Sequence, residues 1–233
     1  MAKITGAIFD CDGTLIDSMR MWNGAFGHLL ASYGLVATDE LKARVEPMTI
    51  PDACAAIHAE MGIGASAQAL VDELEAHVEH EYATNIVEIP GAHAFVQSLA
   101  DAGVPMIVCS STTSRLVRGA LKVHGLDGYF QDVLCTAEVR DGRDKDFPDI
   151  YLEGLERLGT PQDETWVFED APFGIRTARR AGFHVAAVYN AHDGRDASFT
   201  RAWADIFSAE YESISLDAIR IFDDENLRPM PEA

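Results

Sequence analysis

The segment Ile8-Phe9-Asp10-Cys11-Asp12-Gly13-Thr14 constrains this chain more than any other. An apolar run from Ile4 to Phe9 ends abruptly in acid, which reads as a short buried strand that stops where its carboxylates begin. Asp10 and Asp12 stand at i and i+2, so in extended backbone they point to the same side. Gly13 and Thr14 break the strand at once and leave both acids at its C-terminal end. In an open parallel sheet that end faces the ligand crevice. Two acids aimed at one point repel each other unless a cation lies between them or one is protonated. A polar turn closing a strand would look much the same. The rest of the chain has to decide.

Helical spacing follows the motif. Met19, Trp22, Phe26, Leu29, Leu30 and Tyr33 share a stripe, with Ser18 as a candidate cap and Gly34 as the stop. Thr38 caps a short helix through Val45, and Pro47 to Pro51 reads as a loop. Further helices are expected over Asp52 to Met61 and from Ser66 to about Ala83. Four helices without a strand are far too long for a connection, so residues 17–87 are expected to form an inserted helical domain. Residues 1–16 and 88–233 then form the core. From Val104 onward strands and helices alternate: strands over Val104–Cys109, Asp132–Cys135, Thr165–Phe168 and His184–Tyr189, with helices between them. The alternation predicts an α/β fold, a Rossmann-like parallel sheet with helices on both faces. Ala197 to Leu216 carries no clear pattern beyond a short strand at Ile206-Phe207, and the tail from Asp223 reads as loose.

The balance of 18 basic against 38 acidic residues gives a formal charge of -20, which repels nucleic acid and anionic membranes. An anionic small substrate has to be drawn by a local cation, a second hint of a metal. The four cysteines, Cys11, Cys54, Cys109 and Cys135, lack metal or redox spacing, and the three in apolar strand-like runs read as buried thiols. No signal peptide or membrane-spanning run is visible, so a reducing cytoplasm is the expected home. A monomer or weak homodimer is expected.

Three more stations follow in order. Ser110 ends the strand Met106-Ile107-Val108-Cys109 and is followed by Ser111; a hydroxyl there is also an ordinary helix cap. Lys145 lies three residues before Pro148-Asp149-Ile150-Tyr151, in a chain with few lysines. Glu169-Asp170 closes the strand Trp166-Val167-Phe168. With Asp-x-Asp-Gly-Thr-Leu-x-Asp-Ser at the start, this series resembles the haloacid dehalogenase superfamily of phosphohydrolases. The position of the insert is similar to the subgroup with a helical cap after the first motif, which includes phosphoglycolate phosphatases and beta-phosphoglucomutases. The flanks of Lys145, namely Asp144, Asp146 and Phe147, depart from the family's small or Pro residues.

The resemblance implies a phosphatase acting on a small phosphorylated metabolite. A carboxylate attacking a phosphate ester needs a divalent cation between them, and hard oxygen ligands suit Mg²⁺. Asp10, Asp170 and the Asp12 carbonyl would hold it, with Glu169 on a metal-bound water or behind it. Asp10 would become an aspartyl-phosphate, and Asp12 would act as general acid and then base. Desolvation under a closed cap would help keep Asp12 protonated. Ser110, Ser111 and Lys145 would hold the phosphoryl group. Met19, Met21 and Trp22 would form part of the pocket roof, Met19 and Trp22 on one helix face and Met21 elsewhere. Dehalogenases of the superfamily lack the second acid, present here as Asp12. Phosphonoacetaldehyde hydrolases need a cap lysine, and Lys42 reads as exposed on a short helix. The mutase alternative expects a His where Trp22 stands. A non-catalytic regulatory domain is the alternative of a different class.

Overall fold

The computed structural model describes residues 3–45, 48–139, 143–189, 197–209 and 211–222. Six parallel strands, β1 (Gly6–Phe9), β2 (Met106–Ser110), β3 (Asp132–Cys135), β4 (Thr165–Glu169), β5 (His184–Val188) and β6 (Ile206–Ser208), form one sheet in the order β3-β2-β1-β4-β5-β6. Strand order reverses at β1, which pairs with β2 on one side and β4 on the other. The register sets Phe9 level with Val108 and Phe168. Asp10, Ser110, Glu169 and Asp170 therefore emerge together at the C-terminal edge, where an open sheet of this kind leaves its crevice.

The strands are apolar on both faces because helices cover both. Alternate residues divide between two clusters. Phe9, Val108, Trp166 and Phe168 belong to one, with α5 (Ala92–Asp101) and α6 (Ser114–Val123). Ile8, Ile107, Val167 and Val185 belong to the other, with α7 (Asp149–Leu158), α8 (Pro172–Arg180) and α9 (Ala197–Trp203). A last short helix, α10 (Leu216–Ile221), packs on α5.

Between β1 and α5 lie α1 (Met19–Ser32), α2 (Asp39–Val45), α3 (Ile50–Met61) and α4 (Ala67–Thr84). They share an apolar cluster of their own that includes Leu30, Leu41, Ile57, Leu70 and Leu74. The far end of α4 departs from it: Val78 and Tyr82 pack in the core cluster of the sheet. The two connections to the insert run antiparallel and touch. Ile16 bridges Glu88, the Asp17 N–H donates to Val87 at 2.8 Å and the Ile89 N–H to Leu15 at 2.9 Å.

Several boundaries differ from expectation for identifiable reasons. Helix α3 begins at Ile50 rather than Asp52, because the Thr49 hydroxyl caps the Asp52 N–H and Pro51 sits in the first turn, where no N–H is needed. Helix α8 likewise begins on a proline, Pro172. Thr38 caps α2 as read, whereas Ser66 caps α4 rather than opening it, and the helix begins at Ala67. Ser18 precedes α1 without capping it through its side chain, since its hydroxyl is used elsewhere. Helix α9 was not visible in the pattern. Pro47, Asp141 to Gly142 and the tail from Asp223 lie outside the described residues.

Candidate active site

Two groups of acids meet in one cavity of about 530 Å³ at the C-terminal edge of the sheet. The first is buried. Lys145, in the loop before α7, donates to Asp10 and, at 2.7 Å, to Glu169 Oε1. The Tyr151 hydroxyl donates to the same Oε1 at 3.0 Å, and the N–H groups of Asp170 and Ala171 donate to Oε2 at 2.9 and 3.0 Å. Both oxygens of Glu169 are therefore committed to the protein. A side chain at Gly174 would overlap the Glu169 carboxylate and the Tyr151 hydroxyl, so the first turn of α8 needs glycine there. Gly13 is required for two reasons: its φ is +83° and a Cβ would collide with Asp170 and Met19.

Burial sets the charge state of this group. It pushes Asp10 up to about 7, an effect that the Lys145 ammonium opposes and that Glu169 and Asp12 reinforce. Burial acts the same way on Glu169, yet Lys145 and the hydrogen bonds of Ala171 and Tyr151 outweigh it and hold Glu169 below the usual carboxylate range. On Lys145, desolvation works to strip the proton, but the two carboxylates win and hold it above an ordinary lysine. The ammonium is thus permanently charged.

Asp10, Glu169 and Asp170 bring one carboxylate oxygen each within 4.8 Å of one another, and all three are buried. Three carboxylates against one ammonium leave an excess of negative charge in a place that water cannot screen. An all-oxygen donor set of this compactness fits a hard divalent cation such as Mg²⁺. Asp12 stands outside that cluster.

Asp12 is held by a second, neutral group. Ser18 Oγ and the Tyr82 hydroxyl both donate to its Oδ1 at 2.5 Å, and Thr112 Oγ1 donates to Oδ2 at 2.8 Å. Ser18 leads into the insert and Tyr82 is on α4, so two of the three donors come from the insert side. Tyr82 is almost fully buried, and burial together with the Asp12 charge raises its hydroxyl well above the ordinary tyrosine value. Ser18, Tyr82, Thr112 and Tyr151 escaped the sequence reading. Tyr82 carried only the signal of an apolar helix face, which its ring obeys while its hydroxyl does not.

The remaining expected residues fall as follows. Ser110 is buried, and its Oγ accepts from the Thr112 N–H at 3.1 Å, which shapes the turn after β2. Ser111 lines the cavity but donates to Asp144 at 2.5 Å. Met19 and Trp22 line the cavity; Met21 lines a different cavity with Arg20, His77 and Glu81, so it drops out of the roof. Lys42, read as a plain exposed lysine, also lines the site. Thr14 donates to Asp170 at 3.4 Å. All four cysteines are buried and unbridged, one more buried than the strand-like runs implied.

The chain is similar to known proteins along most of its length. Residues 7–188 match the family model described as haloacid dehalogenase-like hydrolase. The chain is 32% identical to hexitol phosphatase A of Escherichia coli over 196 residues, covering 80% of this chain and 83% of that one. It is 25% identical to a phosphorylated carbohydrates phosphatase of Thermotoga maritima over 81% of this chain and 87% of the relative. In fold it is similar to CbbY from Rhodobacter sphaeroides, with a TM-score of 0.78 at 20% identity over 94% of this chain and 100% of that one. No helix among the described residues is long and apolar enough to cross a membrane. With the acids, Ser110 and Lys145 gathered at one sheet edge, and with relatives of this kind along most of its length, the chain belongs to the haloacid dehalogenase-like hydrolases and is a phosphoric monoester hydrolase.

Proposed function

We propose that the chain is a Mg²⁺-dependent phosphatase acting on a small phosphorylated metabolite of the carbohydrate kind, through an aspartyl-phosphate formed on Asp10. The observation that carries this reading is the buried Asp10–Lys145–Glu169 arrangement beside Asp170, with Asp12 facing the same cavity. Asp10 is the carboxylate placed at the cavity floor, and Lys145 neutralises it and the incoming phosphoryl oxygens. Ser110 and the turn amides that follow bind those oxygens. Asp12 gives its proton to the leaving oxygen and then takes one from water. Asp10, Asp170 and the Asp12 carbonyl hold Mg²⁺, with Glu169 fixing Lys145 and the turn behind them. The ion supplies charge neutralisation between carboxylate and phosphate.

Residues 17–87 act in this reading as a cap over a core of 1–16 and 88–233. The carbohydrate assignment is supported by the hexitol and phosphorylated-carbohydrate phosphatases among the relatives. Trp22, where a mutase of this subgroup would place a His, offers no acid–base group, which favours hydrolysis over transfer. The test is steady-state hydrolysis of p-nitrophenyl phosphate and a panel of sugar and polyol phosphates, with Mg²⁺ and with EDTA. Turnover that needs the metal is expected. Turnover undiminished in excess EDTA, or none with any ester, would overturn the reading.

A further inference from the structure

The wall of the active-site cavity is divided by charge. Among the described residues that line it, the acids Asp10, Asp12, Asp144, Glu169 and Asp170 all come from the sheet side. Among its described residues the insert contributes no acid to this lining. Its share is largely apolar, formed by Met19, Trp22, Phe26, Val45, Met48 and Ile50. Within that apolar wall, among the described residues, stands one cation, Lys42.

Lys42 is well placed to take a ligand. Its neighbours on α2, Leu41 and Val45, are buried, so the helix that carries it is fixed to the insert. Its side chain is about half exposed, at 52%. The ammonium meets Asp39 at 3.3 Å, but Asp39 is fully solvated, and exposed pairs three residues apart on a helix contribute little. An ammonium has three donors, of which this contact uses one. The other polar groups of the insert wall differ. Thr49 spends its hydroxyl on Asp52, and Asn23 is neutral.

We infer that Lys42 reads the far end of the substrate and that the preferred ester carries a carboxylate there. Apolar side chains offer hydroxyl groups little, whereas an anion reaching this wall meets Lys42 and, among the described residues that line it, no acid. A single positive charge suits a carboxylate; a second phosphate, with close to two negative charges, would need more than one. The phosphoryl end goes to Lys145 and the acids, and the carbon chain lies along Trp22 and Phe26. The inference rests on the phosphatase reading above.

The test compares two esters of equal length that differ in one terminal group: glucitol phosphate, ending in a hydroxymethyl, and phosphogluconate, ending in a carboxylate. The readout is the ratio of their kcat/KM values in Mg²⁺. The wild type should favour the carboxylate ester. Lys42→Met should cut the ratio by about tenfold, mainly through KM, as expected for loss of one partly exposed charge-assisted hydrogen bond. Lys42→Arg should retain most of it, and circular dichroism should show both variants folded. A wild type that hydrolyses both esters without favouring the acid, or a ratio that Lys42→Met leaves unchanged, overturns the inference while the phosphatase reading stands. If the wild type hydrolyses neither these nor any other phosphate ester, both fall together.

Discussion

Asp10 and Asp12 are two residues apart in the chain and are held in opposite ways. Asp10 is fixed by charge: a buried ammonium, Lys145, joins it to Glu169, and every partner belongs to the sheet or its loops. Asp12 is fixed by three neutral hydroxyls, of Ser18, Tyr82 and Thr112, and two of these come with the helical insert. The contrast fits a division of labour. In the proposed mechanism the nucleophile must meet phosphorus in line, and a setting built from the sheet and its loops would hold it rigidly. A group that gives up a proton in one step and takes one in the next gains from a setting that the insert can alter. The two paired connections at Ile16–Ser18 and Val87–Ile89 are where such motion would originate.

Substitutions on the ionic side should have the largest effects. Asp10→Asn should lower turnover by a factor of about 1,000 or more with the thermal transition retained, since burial disfavours the Asp10 charge and Lys145 keeps Glu169 as its partner. Near-normal turnover would remove Asp10 from its role. Lys145→Met should abolish activity and also destabilise the chain by about 3–5 kcal/mol at neutral pH, because Asp10 and Glu169 are left buried without their cation. Urea denaturation reads this directly, and the loss should shrink as the acids are protonated at lower pH. An unchanged midpoint would mean that the buried pair is not formed.

The same burial makes a prediction about metal and pH. Asp10 is raised from 3.8 to about 7, so between those values the folded chain holds a proton that the unfolded chain has lost. Stability without metal therefore falls as pH rises through this window. Binding of Mg²⁺ should reverse the loss, and the rise in melting temperature on adding it should be larger at pH 8 than at pH 6. Equal shifts at both would break the link between Asp10 and the ion.

On the neutral side the effects should be smaller. Tyr82→Phe removes one of the three donors to Asp12. It should lower kcat by about tenfold and move one limb of the pH–rate profile, with KM little changed and about 1 kcal/mol lost in stability. A loss of stability alone would make Tyr82 a packing residue.

Much of this was legible in the chain, and the limits have physical causes. Parallel strands buried on both faces write themselves as apolar runs, so β1, β2, β4 and β5 could be read together with the acids and hydroxyl at their ends. Lys145 was readable because Pro148-Asp149-Ile150-Tyr151 followed it at the right distance. Helix α9 was not: Thr38 marked the start of the equally short α2, but no such start was read before Ala197. The partners of Asp12 were hidden for a different reason. Tyr82 lies 70 residues away from it and shows only a helix stripe, and Ser18 looked like a cap because capping is what Ser before a helix usually does. Hydrogen bonds between distant side chains depend on packing, which has no local pattern.

Chemistry at Asp10 can be caught in an Asp12→Asn variant given p-nitrophenyl phosphate, whose leaving group needs no proton. The first transfer should then proceed and the second should stall for want of a base. Digestion of the quenched protein is expected to yield close to one phosphoryl group per chain, on the peptide that carries Asp10. Release of nitrophenol and inorganic phosphate in step from the first turnover, with that peptide unmodified, would contradict an aspartyl-phosphate on Asp10.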